Sequence, residues 1–239
     1  MKCIILAAGY ATRLYPLTEN FPKPLLEVAG KTILDRLIDD IDAYIDEFIL
    51  VSNHKFFDQF SDWVKERKIT VIDDGSIRNE ERLGAVRDLE LAVNASQIEE
   101  DCMVMAGDNL LDFSLKSFIG FFQEKDCSCV MCHEENRIEA LRKTAVITTD
   151  GDHKILTYEE KPEQPKGNLA VPPFYIYKAK DIVRVSEALQ DGCSYDAPGS
   201  FAVWLSGRSD MYAYPMPGRR YDIGDLKSYQ NVCELFEEH

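Results

Sequence analysis

Short apolar runs alternate with stretches of helical spacing through the first half of this chain, and that alternation restricts the fold more than any single motif. Lys2–Leu6 is short enough to be a buried strand. Ile33, Leu34, Leu37, Ile38, Ile41, Ile45 and Phe48 then recur at three- and four-residue steps, which predicts one continuous amphipathic helix face. Phe48–Ser52 reads as a second strand. Phe56, Phe57, Phe60, Trp63 and Val64 repeat the helical spacing, and Ile69–Ile72 follows as a third strand. Gly84–Val93 reads as a helix, and Cys102–Ala106 as a fourth strand running into Gly107-Asp108-Asn109. Strands joined by helices predict a mostly parallel sheet covered on both faces.

The second half is patterned differently. Ala145–Thr148 and Lys154–Glu159 flank Asp150-Gly151, a hairpin signal. Leu169–Tyr177 reads as a strand interrupted by Pro172-Pro173; proline cannot donate to a ladder, so an edge position or a bulge is expected there. Helical stretches near 179–189 and 225–236 bracket one more strand at Met211–Tyr214, and an acidic tail covers 234–239. No Gly/Ser linker, low-complexity run or repeat divides the 239 residues. The expectation is a single α/β domain over 1–239, with a mixed sheet and no appended domain.

The apolar share of 45% suffices for a sizeable core. The formal net charge of −15 is spread along the chain. Such a surface repels nucleic acid and anionic lipid, so neither is an expected partner, and any phosphate site has to be locally basic. The apolar opening is too short for a signal peptide, and no window approaches the roughly 18 apolar residues of a membrane span. Seven cysteines, an odd number, argue for free thiols in a cytoplasmic setting. Cys127, Cys129, Cys132 and His133 have metal-like spacing, but no second ligand pair follows, and a buried strand carrying Cys127, Cys129 and Met131 on one face is the simpler reading.

Chemistry is expected just after the first strand. Ala7, Ala8, Gly9 and Ala11 form a small-residue turn whose backbone N–H groups can approach an anion, at the strand end where sheets of this kind bind ligands. Arg13 follows, and Pro22 and Pro24 are expected to hold Lys23 in an extended presentation. Two cations beside the turn supply the local basicity that the acidic chain requires. By itself, such a turn is as consistent with plain helix–strand packing.

Residue order goes further. Leu6-Ala7-Ala8-Gly9-Tyr10-Ala11-Thr12-Arg13-Leu14-Tyr15-Pro16-Leu17-Thr18, then Pro22-Lys23-Pro24-Leu25-Leu26 and Val28-Ala29-Gly30-Lys31, closely resembles the LAAGxGTRLxPxT…PKPLxxVxGKP pattern of sugar-1-phosphate nucleotidyltransferases, in particular the glucose-1-phosphate thymidylyl- and uridylyltransferases. Gly107-Asp108-Asn109, Glu160-Lys161-Pro162 and Tyr221-Asp222-Ile223-Gly224 match later landmarks in order. The resemblance implies a Rossmann-like α/β/α sandwich with a mostly parallel mixed sheet. It implies transfer of a nucleoside monophosphate from an NTP, UTP or dTTP favoured, to a sugar 1-phosphate, with pyrophosphate released and Mg²⁺ required. Leu6 and the backbone from Ala8 through Gly9 and Ala11 to Thr12, with Arg13, would hold the nucleotide, and Lys23 would neutralise charge at the α-phosphate. Gly84 would let the base lie against the backbone, with Asn79 a further base contact. Asp108 and Asp222 would bind Mg²⁺, Lys161 would grip the sugar phosphate, and Gly107, Asn109, Glu160 and Val171 would line the sugar side.

The sequence departs from the pattern at Ala11, which replaces a glycine and is expected to keep φ negative. It departs again at Thr144, Pro172-Pro173 and Arg220, all on the sugar side. An acceptor other than glucose 1-phosphate is therefore expected, with Arg220 either meeting an extra negative charge on it or serving as a solvated ion-pair partner. A CTP-dependent cytidylyltransferase acting on phosphocholine is the alternative; it would need an aromatic cage, for which Tyr175, Tyr177, Trp204 and Tyr221 are candidates. A catalytically silent nucleotide-binding protein is the third reading. Oligomeric state, homo-oligomer or monomer, is left open.

Overall fold

The computed structural model describes residues 1–65 and 67–237. Its strands in chain order are β1 (Lys2–Leu6), β2 (Glu27–Val28), β3 (Lys31–Thr32), β4 (Glu47–Ser52), β5 (Ile69–Asp73), β6 (Cys102–Ala106), β7 (Asn109–Leu111), β8 (Ser128–Glu134), β9 (Ala145–Thr149), β10 (Ile155–Glu160), β11 (Leu169–Val171), β12 (Phe174–Tyr177), β13 (Met211–Pro215) and β14 (Arg220–Asp222). The helices are α1 (Ile33–Ile41), α2 (Phe57–Trp63), α3 (Ala85–Ala95), α4 (Lys116–Lys125), α5 (Ile138–Leu141), α6 (Ala179–Ile182), α7 (Val185–Gln190), α8 (Gly199–Ser206) and α9 (Leu226–Glu237).

The central sheet runs β10-β9-β11-β8-β12-β6-β1-β4-β5, with β13 on β8. From β6 to β5 all pairs are parallel, while β12 joins β6 and β8 antiparallel. Residues of β1 alternate between faces, so Ile4 belongs to one core and Cys3 and Ile5 to the other. Residues of α1, α2 and α4 cover one face and those of α3, α7 and α8 the other, giving the expected α/β/α sandwich. β1 lies between β4 and β6, so chain leaves it on one side and returns on the other; a crevice opens at the carboxyl ends of such strands.

The structure settles several local expectations, some of them against the sequence reading. The 33–48 helix stops at Ile41, where Asp42–Tyr44 tightens into a 3₁₀ turn, and Phe48 lies in β4. Its spacing misled because Ile41, Ile45 and Phe48 all bury in the same cluster from different elements. Of the edge or bulge expected at Pro172-Pro173, the structure has the bulge, and the strand is central rather than an edge. Leu169 and Ala170 pair with Glu134 and His133, Tyr175 and Ile176 pair with Val130 and Cys129, and the prolines take up the bulge between. Cys129 and Cys132 point to opposite faces of β8 and belong to different cores, so they cannot converge on one ion. Burial pushes both thiols up to about 12. Of the acidic tail, Glu234–Glu237 belong to α9, and residues 238 and 239 lie outside the described residues. All seven cysteines are free, and no described helix is long and apolar enough to cross a membrane.

Candidate active site

The turn after β1 is fastened from behind. The Ala7 amide donates to Val51 O at 2.9 Å, the buried Asn53 Nδ2 donates to Ala8 O at 3.0 Å, and the Tyr10 hydroxyl donates to Ser76 O at 2.9 Å. Ala11 ends the turn at φ +46°, contrary to the negative φ expected, and its carbonyl accepts from the Leu14 amide and the Thr18 hydroxyl. Those two bonds over-determine a conformation that an alanine otherwise adopts rarely. Arg13, in the 3₁₀ turn Thr12–Leu14, is exposed and has no hydrogen bond or ion pair among the described residues.

Lys23 is not extended as expected. Pro22 is extended, and Lys23 opens a 3₁₀ turn with Pro24 as its second residue. That turn buries Lys23 to 5% exposure and aims its ammonium at two carboxylates, Asp108 Oδ2 at 2.8 Å and Asp222 Oδ1 at 3.9 Å. Both carboxylates remain open to solvent, at 42% and 57% exposure. They are far apart in the sequence, one mid-chain and one near its end, and meet because β14 pairs with β7, placing Asp222 opposite Asn109. Asn109 donates to Asp108 Oδ1 at 3.0 Å and accepts from Arg220 Nη1 at 2.7 Å, so the four side chains form a chain of contacts. Arg220 has no carboxylate at ion-pair distance among the described residues, which excludes the solvated ion pair expected for it. It faces inward enough to help burial hold the His133 imidazole below its ordinary pKa.

A cavity of about 390 Å³ opens at these strand ends. Of the sequence candidates, Leu6, Ala8, Gly9, Ala11, Arg13, Lys23, Gly84 and Asp108 line it. Thr12, Asn79, Gly107, Asn109, Glu160, Lys161, Val171, Arg220 and Asp222 do not line it. Asn79 instead accepts from Arg82 at 3.4 Å. Gly107 is packed so closely that a Cβ would lie 2.9 Å from Ile5 Cγ2.

The sugar-side candidates form a knot of their own. The Lys161 amide donates to Thr144 O at 3.1 Å, and the Thr144 hydroxyl donates to Val171 O at 3.2 Å. Lys161 holds φ +47°, and its side chain is exposed. Glu160 reaches the start of α8, its Oε2 lying where a Cβ on Gly199 would sit. Burial, opposed by Lys161 and reinforced by Asp196, raises its pKa. The expected cage aromatics pack elsewhere. Tyr175 and Tyr177 stack in the core at 5.8 Å, Tyr177 meets Phe201, and Trp204 lies beneath Arg184 and Arg208.

Sequence reading missed Arg82, Asp88 and Asp196, which line the cavity, and Asn53, which braces the turn. Asn53 and Asp88 lie in regular elements or at their ends, where polar residues read as caps or solvated faces.

The nucleotidyl transferase sequence profile matches residues 2–239. The chain belongs to the nucleotidyl transferase family. A Sulfolobus acidocaldarius protein named for mannose-1-phosphate guanyl transfer is 27% identical over 97% of this chain, which spans 62% of that relative. The Haloferax volcanii UTP–glucose-1-phosphate uridylyltransferase AglF is 29% identical over 94% of this chain, which spans 91% of AglF. A solved UDP-glucose pyrophosphorylase complexed with UDP-glucose superposes with a TM-score of 0.80 at 21% identity, covering 99% of this chain and 98% of that one, a likeness of fold.

Proposed function

We propose that this chain transfers a nucleoside monophosphate from an NTP to a sugar 1-phosphate and releases pyrophosphate. The observation that carries the reading is the buried Lys23 ammonium between Asp108 and Asp222 at one end of a nucleotide-sized cavity. The attacking phosphate oxygen is already anionic at neutral pH, so the reaction needs no general base. It needs two polyanions held together and charge stabilised at the α-phosphorus, a task of positioning and electrostatics. Lys23 is fixed by its turn and by Asp108, so its charge needs no reorganisation when the phosphate arrives. Arg13, unpaired at the cavity mouth, is free to take the outer phosphates.

Mg²⁺ suits the donor set. Asp108 and Asp222 are hard oxygen ligands, within reach of one ammonium and open to solvent, and a carboxylate keeps accepting capacity beyond Lys23 and Asn109. Bound there with substrate phosphate and water, Mg²⁺ would supply charge neutralisation across the phosphates. UTP or dTTP is the nucleotide implied by the resemblance. The half-buried Arg220 without a carboxylate partner supports an acidic acceptor, and the free thiols support a reducing compartment.

The test is Mg²⁺-dependent pyrophosphate release across UTP, dTTP, CTP, ATP and GTP with neutral and acidic sugar 1-phosphates and phosphocholine. Asp108→Ala is expected to lose about 10²- to 10³-fold in kcat. Turnover of phosphocholine would favour cytidylyl transfer, and a clean preference for glucose 1-phosphate would remove the role given to Arg220. Tight NTP binding with no turnover across the panel would return the silent binding protein.

A further inference from the structure

Arg13 and Lys23 bring cations to the cavity lining, while Leu6, Ala8, Gly84 and Ala85 offer it small or apolar groups. The phosphates of a nucleoside triphosphate are drawn to the cations, which leaves the base to the lining around Gly84. Asp88 shares that lining, its amide donating to Gly84 O at 3.0 Å. It is 6% exposed, one turn into α3, and its Oδ1 has no hydrogen-bond partner among the described residues. Burial, with Asp74 adding to it, pushes this carboxyl up to about 7. Arg82 and Asp196, also in the lining, pair with one another at 2.9 Å. A buried carboxyl oxygen without a donor opposes folding, and among the described residues no hydrogen bond to Asp88 Oδ1 offsets it. It is placed to meet a donor on the ligand.

We infer that Asp88 reads the nucleobase by accepting from an exocyclic amino group, so that guanine, adenine or cytosine is preferred over uracil or thymine. The inference rests on the nucleotidyl transfer proposed above and revises the uracil or thymine preference that the resemblance implies. Guanine presents N1–H and N2–H side by side, which an ionised carboxylate accepts together. Adenine and cytosine set an amino donor beside a ring-nitrogen acceptor, which a protonated carboxyl matches. Uracil and thymine carry one N–H between two carbonyl oxygens, so a carboxylate in the ring plane meets an oxygen lone pair beside it. A site built to hydrogen-bond an amino group rejects a base that lacks one, because its buried acceptor is then left unpaired.

The experiment is kcat/KM for pyrophosphate release with GTP, ATP, CTP, UTP and dTTP, in wild type, Asp88→Ala and Asp88→Asn. The readout is the ratio of each NTP to UTP within one protein, which a general folding defect does not move. Wild type is expected to favour one amino-bearing base by about 10- to 100-fold, and Asp88→Ala to bring the ratio within about threefold. Preference for GTP would identify the ionised carboxylate, and preference for ATP or CTP the protonated one. A wild type that favours UTP or dTTP, or a ratio unmoved by Asp88→Ala, overturns the inference and leaves nucleotidyl transfer standing. An equal loss on all five nucleotides leaves the ratio unmoved and overturns it in the same way. Absence of turnover with all five in wild type overturns the activity instead; calorimetric NTP affinities of wild type and Asp88→Ala then decide the base preference by the same ratio.

Discussion

Ala11 sits at φ +46° where its family pattern has glycine, and two hydrogen bonds to its carbonyl hold it there. A methyl group in the left-handed region costs about 1 kcal/mol, while glycine costs a similar amount in unfolded-chain entropy. Ala11→Gly is therefore expected to change unfolding free energy by less than about 1 kcal/mol in urea titrations. A larger destabilisation would mean that the methyl packs usefully against the neighbouring apolar cluster. Asp88 makes a stronger claim. Its folded carboxyl titrates at about 7 against about 3.9 unfolded. Between those values the folded state binds the extra proton, so stability is lost as pH rises from about 4 through about 7. The loss is at most about 4 kcal/mol. Asp88→Asn removes that titration, so its advantage in Tm over wild type should grow between pH 5 and pH 8. A difference independent of pH would show that water solvates the carboxyl. Ala11 stood out as a departure from the pattern, but the sign of its φ was not legible, and Asp88 looks like any polar residue on an amphipathic helix.

At the scale of elements, the first turn of α3 shows how the cavity is closed. Gly84 precedes the helix at φ +96°, and the Ala85 and Val86 amides donate to the carbonyls of Asp196 and Tyr195. A Cβ on Gly84 would lie 2.6 Å from Tyr195 O. Gly84→Ala is expected to destabilise the protein by at least about 2 kcal/mol, from strained φ and backbone collision together. It should also weaken NTP affinity in calorimetry, since the segment carrying Asp196 and Pro198 has to move. Unchanged affinity at reduced Tm would separate that segment from the nucleotide. The strands β1, β4 and β6 were readable because a strand buried on both faces is an almost unbroken apolar run, and the edge strand β5 was readable from its β-branched Ile69-Thr70-Val71-Ile72. α8 was not, since Gly199–Ser206 is apolar nearly all round and has no stripe to recognise. β7 and β14 are three residues each, too short for any period, and yet their pairing assembles the acidic pair around Lys23.

The whole molecule carries a net charge of −15 and binds, on the reading above, a polyanion. Its cations at the cavity are few, so the long-range field opposes approach while the local field rewards arrival. Raising ionic strength from 0.01 to 0.1 M shortens the screening length from about 30 to about 10 Å. The NTP association rate should then rise, by roughly two- to threefold in stopped-flow measurements. A falling rate would mean that Arg13 and Lys23 govern the approach as well as the bound state. The sequence by itself determined the layered α/β architecture and the turn after β1, and it put forward Arg13, Lys23, Asp108 and Asp222 as candidates, because periodicity and residue order are local properties. It did not determine that Lys23 would be buried, that Pro172-Pro173 would sit mid-sheet, or that Asn79 would accept from Arg82 without itself lining the cavity. Nor did it determine that Asp88 would be left unpaired in the cavity wall. Those depend on which distant segments meet: burial and hydrogen-bond satisfaction belong to pairs of residues far apart in the chain, and only the tertiary structure brings those pairs together.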